Sequence, residues 1–193
     1  MYVHFPGTYD DAAFFSCNDA VWLGRVHPKD VLDRSAYEFY TGTGADGNPT
    51  WSPDDQVAEP VFEFELGTSV QQVSYHPYYA RFIFANWAWI DWSGYPKPDH
   101  TTPRTERQRT QLTLVEGPTP WGPWSTFYRN DDWQGSDGSR GAYTPVFPPA
   151  WIDAKAGKDL WIVSTQCCGT PQFGADNHYD FTMQQVLTSR PSQ

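Results

Sequence analysis

The chain has 193 residues, enough to bury one sizeable core. Its net charge is −10, with 13 Lys and Arg against 23 Asp and Glu, which argues against nucleic acid or an anionic membrane as partner because both need a basic surface. Aromatic residues make up 17% of the chain, Pro (17) and Gly (15) are abundant, and no long Ala/Leu/Glu/Lys stretch occurs, so the composition predicts an all-β protein.

In chain order, the segment through Cys17 is polar and reads as one inner strand and a loop. Ala20–Val26 reads as a strand halted by His27-Pro28, and residues 29–35 as a loop or single helical turn. Ala36–Thr41 alternates aromatic and polar residues, the pattern of a half-buried strand. Residues 42–60 form a long Gly/Pro turn region containing Trp51, and Pro60–Leu66 alternates again. Ser69–Tyr75, Ala80–Asn86, Thr110–Glu116 and Ser125–Arg129 read as four further strands. An aromatic insertion from Trp87 to Gln108 separates the second of these from the third, and the turn Pro120-Trp-Gly-Pro-Trp124 precedes the fourth. Ala142–Phe147, Leu160–Ser164 and Tyr179–Val186 complete the strands, with no fourth strand evident in the last group.

The unit of short strand, broad aromatic loop and paired strands occurs nearly twice, and sheets repeated in this way suggest a β-propeller. The expectation is a single domain over 1–193, with blades near 14–66, 67–130 and 141–190. That is about two and a half four-stranded antiparallel blades, against the ~4–8 that close a ring. The chain opens within a β-pattern and shows no signal peptide, so it reads as a piece of a longer secreted protein. Three cysteines, Cys17, Cys167 and Cys168, cannot all pair internally, and a bridge from Cys17 to either of the others stays open. No zinc spacing, P-loop, dinucleotide fingerprint, HExxH or nucleophile elbow is present, so no metal or cofactor is expected.

Propeller geometry sorts the loops. Residues 27–35, 67–69, 86–109, 130–142 and 165–178 are expected at one end, and 43–59, 76–79, 117–124 and 148–158 at the other. On this sorting the Pro120–Trp124 turn is structural, its Trp side chains covering a sheet edge. Trp87 and Trp89 share one face with Asp91 in line, a pattern that suits a sugar subsite: stacking rings beside a carboxylate. For Trp87, a place in the layer between blades weighs as much as the subsite. Tyr143, Ser69, Gln71 and His100 complete the candidate substrate-binding set, with Asp91 as the candidate catalytic acid. Glycoside hydrolysis needs two carboxyls, and Asp33, Asp131 and Asp132 share the expected end, where a turn cap and a solvated loop pair are the plainer readings. A polysaccharide lyase would instead draw on His100, His178, Tyr143, Arg81 and Arg104.

Val21-Trp-Leu-Gly-Arg-Val, Ala36-Tyr-Glu-Phe-Tyr-Thr-Gly, Thr50-Trp-Ser, Thr68-Ser-Val-Gln-Gln-Val, the Pro120–Trp124 turn and Ala142-Tyr-Thr-Pro-Val-Phe-Pro-Pro-Ala-Trp appear in that order. Together they resemble the family catalogued as domain of unknown function 4185 (DUF4185), in its secreted fungal branch. The resemblance runs from about Cys17 to Thr188 and corresponds to the C-terminal half of a full domain. It implies a five-bladed propeller of carbohydrate-active type, extracellular, with relatives that are endo-acting hydrolases of D-arabinan. It also implies that key acids lie on N-terminal blades and that this chain alone is inactive. The sequence thus points to a polysaccharide or oligosaccharide partner, handled by a glycoside hydrolase, with a non-catalytic carbohydrate-binding propeller or a lyase as rivals.

Overall fold

The computed structural model describes residues 1–7, 18–68, 72–90, 110–134, 142–152, 159–166 and 180–187. The strands are β1 (Tyr2–Gly7), β2 (Asn18–Arg25), β3 (Glu38–Thr43), β4 (Pro49–Ser52), β5 (Pro60–Thr68), β6 (Ser74–His76), β7 (Arg81–Trp89), β8 (Thr110–Gly117), β9 (Ser125–Trp133), β10 (Ala142–Val146), β11 (Leu160–Gln166) and β12 (Asp180–Val186). Short 3-10 turns at Pro28–Asp30, Arg34–Ala36, Asp55–Val57 and Pro149–Trp151 join them, and the protein is all-β. All strand pairs are antiparallel.

Three sheets result. The second (β6-β7-β8-β9) and third (β10-β11-β12) follow chain order. The first does not: β2 pairs with β1 on one side and with β5 and the start of β3 on the other, while β3 and β4 form a hairpin between them. The alternating aromatics of β5 explain its return, because Phe62 and Phe64 meet Phe84 of β7 at 6.2 and 5.8 Å.

The second sheet lies between the other two and is buried on both faces. Successive side chains of a strand point to opposite faces. Ile83, Ala85 and Trp87 therefore pack with Leu112, Leu114 and Trp133 against Phe147, Leu160 and Ile162 of the third sheet. Phe84 and Val115 pack the other way, against Val21 and Phe64 of the first sheet. Full burial of a ring such as Phe84 contributes about 1.5–3 kcal/mol. Double-sided burial also explains the unbroken buried run from Thr110 to Val115.

The strands differ from the sequence expectation in four places. β4 lies inside the Gly/Pro region, where Trp51 pairs with Tyr40. Trp87 and Trp89 belong to β7 and not to the insertion, since the ladder to β8 continues as far as Trp89↔Thr110. Asp131 and Asp132 are strand residues of β9, not loop residues, because the ladder to β8 runs on to Trp133↔Thr110. β6 is short, and Ser69 lies outside the described residues.

Strand direction corrects the loop sorting. Asn86 Nδ2 donates to the Gly67 carbonyl at 3.1 Å, and Asn18 pairs with Thr68, so β2 starts at the end where β7 finishes. It therefore delivers residues 27–35 to the opposite end, with the 118–124 turn. There His4 Nε2 meets the Pro120 carbonyl at 2.9 Å and Tyr2 lies 5.9 Å from Trp121. Trp124 of that turn meets Phe84 edge-on at 5.4 Å and packs against the layer between the first and second sheets.

Candidate functional site

Trp87 is 9% exposed and sits in the layer between the second and third sheets. Tyr143 meets it nearly edge-on at 5.7 Å; β10 changes register here and Thr144 takes a φ of 50°, a kink that re-aims neighbouring side chains. A ring this enclosed offers no open face for a sugar to stack on. Trp89 belongs to β7, but its side chain lies outside the described set. Asp91, Ser69, Gln71 and His100 also lie outside the described residues, as do Cys17, Cys167 and Cys168.

The remaining acids have local partners. Asp33 caps the turn after it, accepting from Ser35 N at 3.0 Å and Ser35 Oγ at 2.6 Å. Those bonds hold its carboxyl below the usual value. Asp131 accepts from Gln111 Nε2 at 2.8 Å and from Arg129 Nε at 2.7 Å.

Two concavities stand out among the described residues. One, of about 730 Å³, lies between β9 and β12. One of its amides, Gln184, joins the sheets: Trp133 Nε1 donates to Gln184 Oε1 at 2.8 Å, and Gln184 Nε2 donates to the Gln134 carbonyl at 2.8 Å.

The second concavity, of about 550 Å³, opens on the outer face of the first sheet. Its floor is built by register. Phe5 pairs with Trp22, and Phe39 pairs with Gly24, so all four positions share the face turned away from the core. Tyr37 and Phe39 stack at 6.4 Å with 21° between their planes. Glycines make room for these rings. A Cβ at Gly24 would meet Phe5 at 3.1 Å and Tyr37 at 3.5 Å, and one at Gly7 would meet the Trp22 indole at 2.7 Å.

Residues 28–36 form a strap over this floor. Pro28 opens its first turn, the Asp33 cap fixes its second, and Tyr37 Oη donates to the Val31 carbonyl at 2.8 Å. Leu32 stands at the rim, 98% exposed. Arg34 pairs with Asp55 at the mouth. A hydrogen bond from Gln56 and the Arg34 charge hold the Asp55 carboxyl below its usual value. The mouth thus carries donors and an acceptor whose charges cancel. Asp55 is the single carboxyl among the described residues lining the pocket, whereas glycoside hydrolysis uses two.

Sequence reading missed this pocket, although its signal was present. Phe5 and Gly7, Trp22 and Gly24, and Tyr37 and Phe39 are each spaced by two, the interval that puts side chains on one face of a strand. Which strands would be neighbours was the missing fact. No known protein-family model matches the chain, and no curated protein matches it significantly.

Proposed function

We propose that this chain is a carbohydrate-binding part of a propeller-type protein, and that the pocket on the first sheet holds a neutral sugar ring. One observation carries the reading: four aromatic rings under a charge-balanced rim. A sugar C–H face stacks on such rings while its hydroxyls bond to polar groups at the edge, and ligand pockets of this size are typically apolar with a few placed polar groups. Three antiparallel sheets packed face to face support the propeller architecture, with the first sheet departing from a simple blade by its β2–β5 pairing. Association with a secreted glycan-degrading protein follows from the DUF4185 resemblance.

Affinity electrophoresis of the chain against neutral polysaccharides, arabinans included, tests the reading. Retardation by at least one glycan is expected, and Arg34→Ala and Trp22→Ala should each weaken it about tenfold or more, the loss of roughly one good contact. Arg34 is exposed, so its variant keeps the fold. Retardation that survives both changes moves binding away from this pocket. Reducing sugar released in the same assay would show hydrolysis by the chain itself.

A further inference from the structure

The strap over the aromatic pocket departs from ordinary turn chemistry at its tip. Asp33 N donates to the Asp30 carbonyl at 2.9 Å, which closes a turn with Val31 and Leu32 at its central positions. Gly, Pro, Asn, Asp and Ser dominate such turns, because they ease the backbone or bond to it. Here two branched apolar residues stand in their place. Leu32 is 98% exposed and Val31 38%, so the tip is open to solvent and Leu32 adds nothing to the core.

Both side chains nevertheless line the pocket. The tip is also held in position, since Tyr37 of the floor donates its hydroxyl to the Val31 carbonyl at 2.8 Å. In the facing turn, Val57 is 52% exposed between Asp55 and Ala58, which line the pocket too. Exposed apolar side chains scattered singly are ordinary, but several gathered at the rim of one cavity mark a binding surface.

We infer that the pocket takes a sugar carrying a short apolar substituent, the ring resting on the aromatic floor and the substituent on Val31 and Leu32. This rests on the sugar reading of the pocket and extends it. The hydroxyls of a bare sugar gain nothing from an exposed leucine, whereas an alkyl or acyl group leaves water against it. Charge favours a neutral ether or ester over a free fatty acid. Along the strap and the facing turn, Lys29 and Arg34 stand against Asp30, Asp33, Asp54 and Asp55, so an added carboxylate meets net negative charge.

Isothermal titration calorimetry of the full chain tests the inference with derivatives of glucose, galactose and arabinofuranose. For each sugar the probes are the methyl glycoside, the butyl glycoside, and the methyl glycoside with a butanoate ester on its primary hydroxyl. At least one substituted probe is expected to bind about tenfold tighter than its plain methyl glycoside, because added methylenes are buried on the strap. A gain in the butyl arm places the substituent at the anomeric position, and a gain in the ester arm places it at the primary hydroxyl. Leu32→Ser should remove most of the gain with an unchanged melting curve, since the side chain is exposed. Leu187→Ser, at a leucine 85% exposed and outside this pocket, should keep the gain. Equal affinity for plain and substituted probes overturns the inference and leaves the sugar reading standing. A gain that survives Leu32→Ser, or one lost equally in Leu187→Ser, overturns it as well. Failure of every probe to bind overturns the sugar reading and this inference with it.

Discussion

The indole of Trp22 lies over the backbone of Gly7, in the space a side chain at position 7 would need: a Cβ there would fall 2.7 Å from Nε1. Gly7→Ala therefore forces the floor of the aromatic pocket to shift. Overpacking of this kind typically costs about 1–3 kcal/mol. Urea denaturation should show that loss, and glycan retardation should weaken together with it. Gly24→Ala, whose Cβ meets Phe5 at 3.1 Å, should act in the same direction with a smaller effect.

Trp87 gives the opposite pattern. Its ring fills the layer between the second and third sheets, so Trp87→Ala should destabilise by about 3–5 kcal/mol, the usual cost of removing a buried aromatic. The folded fraction should bind glycan as the parent chain does. Equal affinity in Trp87→Phe, measured by calorimetry, would confirm that the indole packs and does not contact ligand.

Gln184 joins two sheets through both ends of its amide. Gln184→Ala leaves the buried Trp133 Nε1–H without its acceptor, which costs about 1–3 kcal/mol. Gln184→Glu keeps the acceptor and loses the donor to the Gln134 carbonyl. Its thermal midpoint should fall between those of the parent and the alanine variant.

Two histidines make stability depend on pH. His76 is buried against Tyr79 at 4.7 Å. Burial pushes its pKa down, with the nearby Asp159 main chain opposing to a lesser extent. Burial also lowers His4, against the opposing bond to the Pro120 carbonyl. Folded values below the unfolded value mean that the unfolded chain takes up protons first. Stability should be full above about pH 6.5 and fall as pH drops from there through the folded values. Each 1 kcal/mol lost lowers the thermal midpoint by about 2–4 °C in a chain of this length. A pH series of melting curves should show this slope, and His76→Phe should flatten it.

Local pattern revealed the strands whose alternating or apolar run is uninterrupted. Pro60–Leu66 and Thr110–Glu116 lie within β5 and β8. It failed where the pattern is broken: β4 lies among turn residues. The direction of β2 was beyond it, because contacts remote in sequence settle that direction. His4 with Pro120 and Asn86 with Gly67 are two of them. The aromatic pocket was hidden for the same reason. Its rings come from three strands whose adjacency no single stretch encodes.

The β3–β4 hairpin extends the first sheet from the end of β2, and the chain then returns so that β5 pairs with the rest of β2. Recognition therefore draws both on β1 and β2, which carry Phe5 and Trp22 and also hold the fold, and on the hairpin and its flanks. The buried layer rests on Val21 and Phe64, while Tyr37, Phe39 and Asp55 of the pocket belong to the excursion and its flanks. A change of ligand preference can arise by rewriting or resizing that excursion alone, with the load of holding the fold left on the strands that enclose it.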